Sequence, residues 1–243
     1  MAAERILIVN ADDFGLSEAI NAGVIEAYER GIVTSASLMV MGAGASEAAA
    51  YGRRSSGLAV GLHVDLCHWE YEQDRWVAAY ERADAGDREA VAAELHAQLD
   101  RFRELLGADP THIDSHQHVH LDEPAASVFS EAGQRLRVPV RRLRSPARYL
   151  GDFYGQTGRG EPLPEAIEPA SLVRLIRGLR PGVTELACHP GRGVADESSY
   201  NRERERELAA LCAPEVRVAI EVEGVVLRSF SSLSNRPPAS PPG

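Results

Sequence analysis

Residues 5–15 read RILIVNADDFG: a short apolar run rich in branched residues, then two adjacent aspartates, then Phe-Gly. The run RILIVN has no polar alternation, as expected of a strand covered on both faces in a parallel sheet. The abrupt change to Asp12-Asp13 marks the carboxyl end of that strand. In parallel α/β folds this is the edge where functional groups collect.

After this strand, Ser17 to Arg30 reads as a helix: Ser17 is an N-cap, Ile20, Val24, Ile25 and Tyr28 recur at helical spacing, and Gly31 closes it. Residues 32–40 (IVTSASLMV) and 58–66 (LAVGLHVDL) read as further strands, with an alanine-rich helix at 44–52 between them. Residues 68–86 show no period and read as a long loop, a candidate lid. A strong amphipathic helix follows at 87–106, with Val91, Leu95, Leu99, Phe102 and Leu106 on one stripe. Residues 111–119, 138–144, 183–188 and 216–220 read as strands, and 123–135, 169–179 and 201–212 as helices. Residues 145–168 are Gly/Pro-rich and irregular.

Strands alternating with helices predict an α/β fold with a mostly parallel sheet. A (β/α) barrel with fewer than eight regular units is the first expectation and an open doubly wound sheet the second. Residues 1–233 are expected to form one domain, and the Pro/Ser-rich tail at 234–243 to be disordered.

The bulk composition narrows the function. At 243 residues and 44% hydrophobic content, the chain is large enough to bury an ordinary core. A formal net charge of -10 repels a phosphate backbone, so nucleic acid is not an expected partner. The three cysteines, Cys67, Cys188 and Cys212, fit neither a disulfide framework nor a CxxC site, which points to a reducing, cytoplasmic setting. The apolar run at the N-terminus is too short for a signal peptide or a membrane span, so no membrane association is expected.

The residues at the strand ends carry the chemistry. Asp12 and Asp13 end the first strand, His63 and Asp65 lie near the end of the third, His112, Asp114, His116 and His118 fall in 111–119, and His189 follows 183–188. Two neighbouring buried carboxylates repel each other, and a cation removes that cost. The alternative role for either aspartate is capping of the next helix. In HIDSHQHVH, period two places residues 112, 114, 116, 118 and 120 on one face, whereas a helical turn after His116 pairs it with His120. His96, on a charged helix, reads as a surface residue, and a lone strand histidine such as His63 is more often a packed core residue than a ligand. The abrupt Pro190-Gly191 after His189 suits projection of its imidazole into a pocket as a general acid.

The segments LIVNADDFGLSEAINAGVIEAYERGIVTSASLMV, GLHVDL, THIDSHQHVH and CHPG, with SSYNRERERELAAL downstream, resemble the YdjC-like carbohydrate deacetylases over most of the chain. NADDFG and SHxHVH at this separation are specific together. The resemblance implies a distorted TIM-like (β/α) barrel related to polysaccharide deacetylases, with one divalent metal ion. It implies Asp13, His63 and His116 as metal ligands, Asp12 as general base and His189 as general acid. It also implies magnesium, although two imidazoles suit zinc equally. A homodimer and an N-acetylated sugar substrate complete the expectation. His118, Arg142 and Arg144 are candidate substrate contacts, the two arginines being equally readable as surface charges. Competing functions are a metal-dependent hydrolase of phosphoesters or cyclic amides, and a non-catalytic sugar-binding protein on the same fold. The sequence lacks a GxxxxGK[ST] phosphate cradle.

Overall fold

In a computed structural model, residues 4–193 and 200–233 are described. The elements in chain order are β1 (Arg5–Phe14), α1 (Glu18–Glu29), β2 (Ser35–Leu38), α2 (Ala45–Arg54), β3 (Ala59–Val64), β4 (Cys67–Glu72) and β5 (Arg75–Glu81). There follow α3 (Arg88–Leu106), β6 (Ile113–Ser115), α4 (Ala125–Leu136), β7 (Arg148–Leu150), α5 (Pro169–Arg177), β8 (Gly182–Cys188), α6 (Asn201–Leu211), α7 (Pro214–Val222) and β9 (Val225–Leu227). The tail at 234–243, expected to be disordered, lies outside the described residues.

The main sheet runs β6-β3-β2-β1-β8-β7, with β9 also paired to the first residues of β1. Every pairing in it is parallel. Curled on itself and flanked by helices, it forms the expected distorted (β/α) barrel. The strands are covered on both sides, so β2 and β3 are buried at every position. That is why their sequences show no alternation.

Helix boundaries follow local chemistry. The Ser17 hydroxyl accepts a hydrogen bond from Ile20 N at 3.3 Å, which starts α1. The Asp87 carboxylate accepts from Glu89 N at 2.8 Å at the start of α3, and Gly107, at φ 68°, ends it in the left-handed region.

Four expectations are corrected. Residues 68–86 are not a structureless loop: β4 and β5 form an antiparallel hairpin. Its β5 strand is exposed along nearly its whole length, so no buried face imposed a readable period. Residues 216–220 belong to α7 rather than a strand, because Pro214 opens a helix whose Val216, Ala219 and Ile220 face the core. The strand expected at 138–144 is reduced to one parallel bridge, Ile113 to Val140, after which Arg142, at φ 59°, turns the chain. The strand expected over 111–119 stops at Ser115, where Gln117 and His118 both take left-handed φ values in a 3-10 turn, His116–Leu121.

Candidate active site

The carboxyl ends of β1, β3, β6 and β8 meet around one cavity of about 1020 Å³ lined by Asp12, Asp13, His63, His116, His118 and His189. The first strand does not present its two aspartates by simple alternation. Its pairing with β2 shifts register between Ala11 and Phe14, and Asp13 sits at φ 63°. This bulge places both carboxylates on the cavity, one residue before the Phe14-Gly15 turn to which sequence reasoning gave that task. Left-handed geometry is tolerated better by Asp than by most residues.

Asp13 is the centre of one cluster. Its Oδ1 lies 3.3 Å from His63 Nε2 and 3.2 Å from His116 Nδ1, while its Oδ2 accepts a hydrogen bond from Arg204 at 2.6 Å. The far nitrogen of each imidazole is also engaged: His63 Nδ1 by Asp114 Oδ1 at 2.7 Å, and His116 Nε2 by His68 Nδ1 at 2.7 Å. The donor atoms of Asp13, His63 and His116 all lie within 4.8 Å of one another. One carboxylate and two imidazoles, each oriented from behind, fit a divalent cation with positions left open for water and substrate. Burial disfavours a charge on His63, but Asp114, Asp13 and Asp12 outweigh it and raise its pKa to about 10. Positive charge is therefore strongly favoured at this point, and a cation supplies it as well as a proton does.

A second group, Asp12, His63 and Asp114, is equally compact. It is the weaker candidate, because Arg141 already provides the counter-charge. Arg141 is fully buried; it donates to Asp12 Oδ2 at 2.6 Å, Asp12 Oδ1 at 2.7 Å and Glu185 Oε1 at 2.7 Å, and its Nη2 lies 3.0 Å from Asp114 Oδ2. Asn10 adds a bond to Asp12 Oδ1 at 2.8 Å. Burial alone would raise the Asp12 pKa; Arg141 outweighs it, and the carboxyl is held below its ordinary value.

His189 completes the site from the end of β8. Its Nε2 is 3.8 Å from Asp12 Oδ2, and its Nδ1 is 3.8 Å from Glu207 Oε1 on α6. The His189 backbone N–H also donates to Glu207 Oε2, and Glu207 Oε1 accepts from Tyr200 O–H at 2.7 Å. Burial opposes the imidazolium, but Glu207, Asp12 and Asp13 prevail and raise its pKa above the usual value. The loop that carries His189 sits close against α1: a Cβ on Gly23 would come within 2.3 Å of Gly191 Cα, so only glycine fits at this crossing.

The remaining expected residues fall in different places. His118 lines the cavity, with Nε2 2.9 Å from Tyr149 Oη, and burial lowers its pKa to about 3. Arg142 and Arg144 are exposed and lie outside the cavity lining, Arg142 resting over the Tyr149 ring at 5.3 Å. The left-handed turn at Arg142 sends them outward and leaves Arg141 pointing in. His112 and His120 are core residues: His112 stacks on Phe230 at 3.9 Å, and His120 is held by Ser115 Oγ and the Arg141 carbonyl. Sequence reasoning missed Arg141, Arg204 and Glu207. For the last two a signal existed. In NRERERELAAL they lie on the same helical stripe as Leu208 and Leu211, and all four are buried.

A family profile described as YdjC-like protein matches residues 6–222. The chain belongs to the YdjC-like family. Among curated relatives, the chitooligosaccharide deacetylase of Serratia marcescens is 38% identical, over 95% of this chain and all of that one. The carbohydrate deacetylase of Geobacillus stearothermophilus is 34% identical, over 93% and 97%. Among solved structures, a protein of Enterococcus faecalis V583 described as a candidate cellobiose-phosphate cleavage protein superposes with a TM-score of 0.78 at 28% identity, over 96% of this chain and all of that one. The family 4 carbohydrate esterase of Streptomyces lividans, solved with acetate, gives 0.57 at 11% identity over 93% of each chain, a likeness of fold. The YdjC-like profile thus spans all four strand ends that build the cavity.

Proposed function

We propose that this chain is a carbohydrate N-deacetylase that hydrolyses the acetamide of an N-acetylated amino sugar or oligosaccharide, with one divalent cation held by Asp13, His63 and His116. The observation that carries the reading is the convergence of that donor set with a tethered carboxylate, Asp12, and a carboxylate-backed imidazole, His189, in one cavity. The names of the curated relatives supply the substrate class.

When bound, the cation polarises the acetyl carbonyl and lowers the pKa of a water molecule. Asp12, kept ionised by Arg141, accepts a proton from the attacking water. The water oxygen bonds to the carbonyl carbon, and the C–N bond then breaks. His189, kept protonated by Glu207, gives its proton to the departing amine nitrogen. The products are acetate and a free amino sugar, and no protein nucleophile takes part. His118 Nδ1, buried without a protein hydrogen-bond partner among the described residues, supports a contact from this imidazole to a polar group of the substrate. The imidazole pair suits zinc as well as magnesium.

The phosphoester alternative gains nothing from the two buried arginines, since Arg141 and Arg204 are engaged by Asp12 and Asp13. The test is acetate release from N-acetylglucosamine oligomers by metal-loaded protein, alongside nitrophenyl phosphate. Acetate without phosphate release is expected. Phosphate release alone, or no acetate from any N-acetyl sugar, overturns the reading.

A further inference from the structure

His189 and Glu207 are close but not bonded through the ring. His189 Nδ1 lies 3.8 Å from Glu207 Oε1, beyond hydrogen-bond range. The atom is buried, and it has no hydrogen-bond partner among the described residues. A buried ring nitrogen beside a carboxylate normally takes it as a partner, so the gap needs a cause. The cause is Tyr200. Its O–H donates to that same Glu207 Oε1 at 2.7 Å, while Glu207 Oε2 accepts from the His189 backbone N–H. Both oxygens of Glu207 are thereby held, and neither is turned onto the imidazole.

Tyr200 is itself fixed from the cavity side. It is buried, and its oxygen accepts from the Gly155 N–H. Its ring stacks on Tyr154, with centroids 4.7 Å apart and 9° between the planes. Tyr154 lines the cavity and meets His189 edge to face at 5.3 Å. Gln156 Nε2 donates to Glu203 Oε1 on α6 at 3.3 Å. A Cβ on Gly155 would fall 3.0 Å from the Tyr200 oxygen and 2.6 Å from Ile167 Cδ1, so glycine lets the backbone reach the phenol. Residues 154–156 thus clamp Tyr200 against Glu207.

We propose that Tyr200 is a positioning residue that withholds Glu207 Oε1 from His189 Nδ1, and so keeps His189 a strong enough acid to protonate the departing amine. A carboxylate bonded directly to the imidazolium would stabilise its charged form further, and an acid held that way gives up its proton poorly. The groups facing His189 are Asp12 from β1, 3.8 Å from Nε2, Glu207 and Arg204 from α6, and the phenols of Tyr154 and Tyr200; the charge of Asp13 also reaches it. Glu207 is the charged group beside Nδ1, and Tyr200 sets its direction. The proposal rests on the deacetylase reading for what His189 protonates, but the withheld bond is tested without turnover.

Tyr200→Phe keeps the ring, and with it the stack on Tyr154, and removes only the O–H. In magnesium-loaded protein carrying isotope-labelled histidine, NMR titration is expected to give His189 a pKa about one unit higher in the variant than in wild type. The alkaline limb of kcat/KM for acetate release is expected to follow it to higher pH, with kcat on the plateau about two- to fivefold lower. In a Glu207→Gln background the same substitution should leave the pKa in place, since no carboxylate remains to turn onto Nδ1. An unchanged or lowered pKa in Tyr200→Phe overturns the proposal, as does an equal rise in the Glu207→Gln background. Wild type is expected to lack the strongly downfield Nδ1 proton of a short histidine–carboxylate bond; its presence overturns the proposal whether or not the variant folds. If the pKa rises as expected but no N-acetyl sugar releases acetate, the role of Tyr200 toward Glu207 stands and the deacetylase reading falls.

Discussion

Arg141 holds both oxygens of Asp12, at 2.6 and 2.7 Å, with no exposure of its own side chain. The two-pronged contact fixes the plane of the carboxylate and keeps it charged. A lysine in the same position would keep the charge but lose the fork. Arg141→Lys is therefore expected to lower kcat by about 10- to 100-fold, because a misoriented base transfers protons poorly. It should also lower stability, since a buried pair stripped of one partner costs about 3–5 kcal/mol and a poor replacement recovers only part of that. Thermal melting and steady-state kinetics on one preparation check both; wild-type values for both would remove Arg141 from its positioning role.

Asp12→Asn separates the proposed base from the proposed cation site. The amide keeps the shape of the side chain but cannot accept the proton. Turnover is expected to fall by roughly 10²–10⁴, the usual worth of general base catalysis, with cation stoichiometry by elemental analysis unchanged. Unaltered turnover would mean another group takes the proton.

His68 orients His116 from behind, with 2.7 Å between His68 Nδ1 and His116 Nε2. Removing such a partner typically costs 10–100-fold in metal affinity. His68→Ala is expected to weaken cation binding by that factor in calorimetric titration. His96→Ala, on the exposed side of α3, is the control and should bind as wild type. Equal affinities for both variants would show that His116 needs no support.

Glu207 sets the protonation of His189. The raised His189 pKa places the alkaline limb of kcat/KM above pH 6.5, since the acid must carry its proton. Glu207→Gln removes the negative charge, so the His189 pKa falls and the alkaline limb moves to lower pH. The acidic limb, which the proposed mechanism assigns to Asp12, should stay in place. A pH–rate profile that does not move on the alkaline side would assign the acid elsewhere.

Glu185 makes the opposite kind of statement about stability. Burial pushes its pKa up from 4.5 to about 7, despite the bond to Arg141, because that guanidinium is shared with Asp12 and Asp114. The folded pKa lies above the unfolded one, so the folded state holds an extra proton between them. The stability this contributes is complete below pH 4.5 and is lost as pH rises through about 7. At about 1.4 kcal/mol per unit, the loss is of order 3 kcal/mol at most. Glu185→Gln should therefore gain thermal stability relative to wild type as pH goes from 5 to 8. A constant difference across that range would show that Glu185 does not titrate there.

Much of this site was legible because it obeys local rules. RILIVN reads as a covered strand, Ser17 announced the first helix, and the polar residues after each strand pointed to the active edge. The hairpin was hidden because both faces of β5 are largely exposed and no burial imprints a period on it. Arg141 was hidden among Arg142 and Arg144, which share its chemistry but not its direction.

The alternation of strands and helices, the parallel sheet and the supply of carboxylates and imidazoles at its edge are written in short stretches of the chain, because each follows from local spacing and residue type. Which of those groups meet is set by contacts between distant segments. Asp13 meets His116 across 103 residues and Asp12 meets Arg141 across 129, and the bulge at Asp12-Asp13 and the left-handed turn after Ser115 bring these groups together. Long-range pairing of buried charges leaves no period in a chain, so no local pattern records it.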